Sequence, residues 1–290
     1  MAYEAGPTGF GLARELSGHG FNNMVVAPSH IPTLPGKQPK SDGLDCRKLA
    51  MMAAKGLLCG VYVPSEQEEA DRQIVRLREQ FVRDLRRAKH RIKSFLLQHG
   101  IAEPAGLADW SKKACAALGE LSLSEGLRIC LDQLLDNLDW LQKRVLHVTR
   151  LVRELAKSER HKKAFDCLTS TPGVGLITAM TIKTELLAPE RFDRAEQVAR
   201  VIGLAPQVRQ SGQSQWNGSL MKSGNPRIRT VLVEAAWRWI RLDPWAKQHY
   251  RRILANTGSA KKAIVAMARK LAIRLWRIMT RGEPYRMAAC

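Results

Sequence analysis

The stretch RVIGLAPQVRQSGQSQWNGSLMKSGNPRIRTVLVEAA, from Arg200 to Ala236, decides how the chain is read. It opens on an apolar helix end, passes through Gly203, Pro206, Gly212, Gly218 and Gly224, and enters an amphipathic helix near Pro226. That pattern reads as a polar loop held between two apolar elements. Gly212 follows Ser211 directly, so a phosphate could approach the hydroxyl without an intervening side chain. Arg209, Lys222, Arg227 and Arg229 lie close to it in sequence. A hydroxyl among cations suits attack on a phosphodiester, because the phosphoryl oxygens must be neutralised while the bond exchanges. The same pattern also describes an ordinary turn serine beside a solvated basic face.

Charge favours a nucleic-acid partner. Of the net +20, +14 falls within residues 201–290, which hold 17 basic and 3 acidic side chains. A positive field so localised fits a polyanion. There is no apolar run of the roughly 18 residues that span a bilayer and no signal-peptide pattern, so the expectation is a cytosolic chain with no membrane role. Six cysteines, without a CxxC pair or a histidine at ligand spacing, are expected to be buried reduced thiols.

Near the start, Met1 to Gly9 begins in the middle of what looks like a strand-to-helix junction, with no preceding strand to lead in, and Thr8 is expected to cap a helix through Leu16. Asn23 to Ala27 reads as a short buried strand. A helix is expected from Asp42 to Leu58, with Asp42 and Asp45 at i and i+3 on one face. Two carboxylates there either stabilise the helix dipole or hold a hard cation such as Mg²⁺.

A long helix follows from Ser65 to Gln98, with Ser65 and Glu68 in capping-box positions. A second carries Leu127, Leu131, Leu134, Leu138, Leu141, Val145, Val148, Val152 and Leu155 in alternating steps of four and three. This heptad seam predicts a helical hairpin or coiled-coil arm and a candidate dimer contact. Ser170-Thr171-Pro172-Gly173-Val174-Gly175 reads as a tight turn entering a helix, either a plain turn or a helix-hairpin-helix that receives a backbone phosphate on exposed amides. Tryptophans 237, 239, 245 and 276 at helical spacing are expected in the core, with the basic face toward nucleic acid.

The order Gly203-Leu204-Ala205-Pro206, Ser211-Gly212, Lys222-Ser223-Gly224-Asn225 and Arg229 resembles the C-terminal domain of transposases of insertion-sequence family 110, with its 1111 subgroup and the related pilin-gene invertases. Tyr3-Glu4-Ala5-Gly6-Pro7-Thr8-Gly9, Val26-Ala27-Pro28-Ser29 and Lys40-Ser41-Asp42 with Asp45 resemble the latter half of that family's RNase H-like catalytic domain. The resemblance implies Ser211 as nucleophile and Glu4, Asp42 and Asp45 as the last three of four acidic Mg²⁺ ligands. It also implies a composite site, DNA and a structured guide RNA as partners, and a homo-oligomer, dimer or tetramer. Gly173, Gly175, Arg209, Lys222, Arg227 and Arg229 are the expected nucleic-acid contacts. The family's first acidic residue precedes the Glu by tens of residues, and this chain begins three residues before Glu4. An N-terminally truncated chain, inactive alone, is therefore expected. The alternative is a non-catalytic DNA- or RNA-binding remnant. A tyrosine recombinase built on His249, Tyr250 and Arg251 lacks the rest of its constellation.

The expected fold is mainly α with a partial α/β piece: a remnant RNase H-like domain over 1–62, a helical coiled-coil arm over 63–164, and a C-terminal transposase domain over 165–290.

Overall fold

The computed structural model describes residues 1–28, 31–32, 42–211, 214–220 and 223–287, and these are mainly helical. They form two compact units, 1–69 and 70–290, so nearly all of the expected arm and all of the C-terminal region fall in the second.

The first unit is a small α/β piece. Strand β1 (Ala2–Glu4), helix α1 (Gly11–Gly18) and strand β2 (Met24–Val26) are followed by helix α2 (Asp42–Ala54). The strands are parallel, pairing Ala2 with Met24 and Glu4 with Val26. A strand therefore does precede α1, contrary to expectation. Three residues carry no period of their own, and β1 exists because β2 supplies its ladder. Thr8 is not the cap of α1, which begins at Gly11 behind Phe10. A turn closed by Gly9 N–H to the Gly6 carbonyl, with Gly9 at φ +71°, takes up Thr8 first. Helix α2 stops at Ala54, short of the expected Leu58, because Gly56 turns the chain at φ +65°.

The expected strand at 23–27 is present and buried, with Val25 and Val26 essentially inaccessible. Both its edges are engaged. Ala5 N–H donates to the Val26 carbonyl at 2.8 Å on the β1 side, and Val61 N–H donates to the Val25 carbonyl at 2.7 Å. Successive carbonyls of a strand point to opposite edges, so β2 is not left open. Val26, Met52 and Leu58 form the unit's core.

Helix α3 (Glu66–Gln98) opens on the expected capping box. Ser65 N–H donates to Glu68 Oε2 at 2.9 Å, and Glu68 N–H donates to Ser65 Oγ at 3.2 Å. After a short helix α4 (Lys112–Gly119), whose N-cap Ser111 accepts from Ala114 N–H, comes α5 (Glu125–Lys157). Helices α3 and α5 run antiparallel: Arg78 bonds Thr149, Phe81 meets Trp140 edge-on, and Ile92 and Leu96 share a core with Leu131 and Leu138. The seam residues Leu131, Leu138, Leu141, Val148 and Val152 are buried within the chain itself.

The C-terminal helices are α6 (Glu159–Thr169), α7 (Leu176–Leu186), α8 (Ala195–Ile202), α9 (Pro226–Leu242), α10 (Pro244–Thr257) and α11 (Ala260–Arg281). They close around Trp239, which is fully buried, with Leu168, Ile182, Val198, Leu232, Met267 and Leu271. Trp276 is also buried and donates its indole N–H to the Pro189 carbonyl at 2.8 Å. Trp245 is half-buried under the Arg274 guanidinium, 3.8 Å from its ring centre, while Trp237 is partly exposed. The thiols do not follow expectation: Cys46, Cys59 and Cys130 are exposed, and Cys167 alone among the described cysteines is buried. No described helix is long and apolar enough to cross a membrane.

Candidate active site

Between α8 and α9 the expected polar loop is a β-hairpin of β3 (Pro206–Ser211) and β4 (Ser214–Leu220). Antiparallel pairing runs from Pro206–Leu220 to Ser211–Ser214. Ser211 is thus the last paired residue of its strand, joined to β4 through Gly212 and Gln213, which lie outside the described residues. A Gly-X pair linking two short runs is a hairpin signal that the sequence did offer. A register shift between Pro206 and Val208 sets Gly218 against the Gln207 backbone. Of Ser211 and Arg209 only the backbone is described, and Lys222 lies outside the described residues.

The base of the hairpin is held by two glycines. Gly203 ends α8 at φ +76°, and Gly224 precedes α9 at φ +107°. A Cβ on Gly203 would come within 2.5 Å of the Ser223 carbonyl oxygen, and one on Gly224 would strike the Gly203 backbone. The two backbones touch directly, which only glycine permits. Asn225 N–H donates to the Val201 carbonyl at 2.8 Å, closing the base between α8 and α9.

Asn225 also caps α9, accepting at Oδ1 from Arg227 N–H and Ile228 N–H. Its Nδ2 donates to Glu185 Oε2 at 2.8 Å. Glu185 is buried on α7, its side chain only 2% exposed, and Arg76 clamps it with Nε at 2.6 Å and Nη2 at 2.8 Å. Burial pushes the Glu185 carboxyl up, but the hydrogen bond and charge of Arg76, the Asn225 amide and the Arg227 charge outweigh it, so its pKa is lowered. The stability it contributes is therefore complete above the ordinary carboxylate range and is lost as pH falls through the lowered native value. Glu185→Gln should flatten the acid limb of a stability-versus-pH curve, whereas Glu185→Ala, which strands Arg76 and Asn225, should cost about 3–5 kcal/mol at neutral pH. Thermal melts of the two variants across pH check this, and an unchanged acid limb in the glutamine variant would contradict it.

The other expected contacts divide clearly. Arg227 Nε donates to Glu79 Oε2 on α3 at 2.7 Å, and Arg229 Nη1 donates to the Gly203 carbonyl at the hairpin base at 3.3 Å, so both guanidiniums have partners within the chain. Gly173, at φ +85°, lies against the α9 backbone: a Cβ there would come within 2.8 Å of Trp239 N. Packing alone accounts for that glycine. Gly175 is exposed at the N-cap of α7, with open space around it.

In the first unit, Glu4 ends β1 and Asp45 lies one turn into α2, and both are exposed and line one open cavity of about 760 Å³. Asp42 begins α2, and only its backbone is described. Among the described residues no group of three metal-binding side chains is gathered. Two exposed carboxylates on one cavity fit Mg²⁺, which keeps several waters and takes one or two carboxylates.

Sequence reading did not assign roles to Glu185, Arg76 or Asn225. A signal existed in α7, LITAMTIKTEL, where the single carboxylate has only Lys183 as a cation on its own helix, two positions away and so on a different face, and must find its partner on another element.

A family model described as "Transposase IS116/IS110/IS902 family" matches residues 165–251, and a second, described as "Transposase" and of the DEDD type, matches residues 4–101. A putative transposase, y4rJ, of Sinorhizobium fredii (strain NBRC 101917 / NGR234) is 32% identical over 96% of this chain and 76% of its own length. A second from that organism, y4qE, is 30% identical over 96% of this chain and 74% of its own. The chain belongs to the IS110 family of transposases. The transposase for insertion sequence element IS1111A of Coxiella burnetii (strain RSA 493 / Nine Mile phase I) is more distant, at 24% identity over 95% of this chain and 76% of its own. None of these matches supports the N-terminal truncation expected from the sequence. Both matched regions of the transposase carry residues singled out above: Glu4, Asp42 and Asp45 in one, the hairpin with Ser211 and its glycine base in the other.

Proposed function

We propose that this transposase exchanges DNA strands at the ends of an insertion sequence by phosphoryl transfer, with Ser211 as the nucleophile. The observation that carries the reading is the position of Ser211, at the tip of a hairpin whose base is fixed by Gly203, Gly224 and Asn225, within the family-matched region. A nucleophile is useful only when its approach to the reacting atom is set, and a hairpin clamped at its root supplies that. The Ser211 Oγ–phosphorus bond would form as the phosphorus–oxygen bond to the departing sugar breaks, with the hydroxyl proton lost and the departing oxygen protonated.

Glu4, Asp42 and Asp45 would hold Mg²⁺. When bound, the ion would neutralise the phosphoryl oxygens and favour the ionised hydroxyl. The β1–α1–β2–α2 order supports reading residues 1–62 as part of an RNase H-like domain, and the α3–α5 hairpin supports an arm of coiled-coil kind. Family membership and the +14 segment support DNA as substrate, and the resemblance drawn from the sequence implies a structured guide RNA as partner and a dimer or tetramer as the working form. Exposed amides at Gly175 and the side chains of Arg209 and Lys222 would meet the backbone.

The test supplies the chain with the element's DNA ends, its RNA and Mg²⁺. Strand exchange should stop on chelation, and Glu4→Gln and Asp45→Asn should each lower it by about tenfold or more while DNA affinity stays within about twofold. Exchange that ignores both chelation and the substitutions contradicts metal-assisted transfer. DNA binding with no exchange under any condition returns the chain to the non-catalytic reading.

A further inference from the structure

A groove of about 310 Å³ runs between α3, α7 and α9. Five arginines line it, Arg76, Arg78, Arg83 and Arg86 from α3 and Arg227 from α9, against three carboxylates, Glu79, Glu185 and Glu234. Two of those carboxylates are engaged from within: Glu185 by Arg76, and Glu79 by Arg227 at 2.7 Å and Arg83 at 3.6 Å. Arg78 differs. Its Nε donates to the neutral Thr149 Oγ1 at 2.9 Å, and that hydroxyl donates in turn to the Val145 carbonyl at 2.6 Å. Burial holds the Arg78 guanidinium below its ordinary range. A half-buried cation bonded to a neutral hydroxyl, in a groove with net positive lining, is offset best by an anion from outside.

Charge and spacing narrow the anion. Arg76 is held by Glu185, whereas Arg83 and Arg86 stand at i and i+3, one turn apart on α3. A DNA strand carries one negative charge on every nucleotide, so neighbouring backbone phosphates can meet both guanidiniums. The opposite wall is formed by Arg227, Thr230 and Glu234, on the first turns of α9, the helix that begins where the Ser211 hairpin ends. Arg83 and Arg86 are exposed and can reach a ligand lying over the groove.

We propose that this groove is a phosphate track for DNA, receiving the backbone of the strand whose phosphodiester is presented to Ser211. The proposal deepens the strand-exchange reading and rests on it for the identity of that strand. The contacts are to backbone, so the track sets position and carries no base preference.

The test measures binding of the full chain to a labelled DNA duplex of mixed sequence across a salt series, with thermal melting as the check on folding. Arg83→Gln with Arg86→Gln should lower the slope of log affinity against log salt by about 2, with an unchanged melt. Glu234→Gln, which removes a negative charge from the same groove, should tighten binding, a change of sign that damage to the fold cannot mimic. Ser211→Ala should bind as the unaltered chain does, so this readout stands or falls separately from the nucleophile. An unchanged slope in the double variant, no tightening in Glu234→Gln, or loss confined to a structured RNA duplex with DNA binding intact would each overturn the track.

Discussion

Ser211→Ala abolishes strand exchange and any covalent protein–DNA link, while DNA affinity changes by less than about twofold. The expected loss is on the order of 10³-fold or more, because a nucleophile has no substitute when the reaction passes through a bond to its own oxygen. Affinity is spared because binding draws on the cationic surface, and the variant removes one hydroxyl from a strand end. The two readouts must therefore separate. A variant that loses exchange and affinity together would assign Ser211 to structure or binding instead.

Gly224→Ala is the second large effect, and it reaches Ser211 from the base of the hairpin. At φ +107° an alanine carries strain of about 1–3 kcal/mol whatever the space around it. Here there is none, since its Cβ would meet the Gly203 backbone and no flexible side chain can swing aside. The hairpin root must open, shifting β3 and β4 against α8 and α9. A displacement of about 1 Å at a nucleophile costs on the order of 10²-fold in rate, so exchange should fall by at least that much and the melt by several degrees. Gly126→Ala in α5 has open space and an ordinary helical backbone, and should be neutral or slightly stabilising. Equal effects of the two substitutions would remove the glycine contact from the account.

Local rules reached the parts of this fold that are locally determined. The Ser65–Glu68 capping box closes within four residues, and the seam on α5 declares its buried face by period alone. Strand β1 was illegible because three residues gain strand geometry only from β2, some twenty residues later. The β3–β4 hairpin was read as a loop because QVRQS and SQWNGS show no apolar alternation, and its order comes from the ladder and the glycine root. The candidate site divides in the same way. Ser211, Glu4, Asp42 and Asp45 could be singled out by residue order, since each stands in a short recognisable motif. Glu185 could not be paired from the sequence, because Arg76 is 109 positions away and Asn225 is 40.

The nucleophile itself is tested most directly by capturing the covalent species. The chain is incubated with Mg²⁺, its RNA and a DNA end carrying a label on the transferred strand, then quenched, digested with protease, and the DNA-linked peptide sequenced by mass spectrometry. A phosphodiester link is expected on the peptide containing Ser211, carried by that serine. A link on any other residue, or strand exchange with no linked peptide, would contradict that expectation.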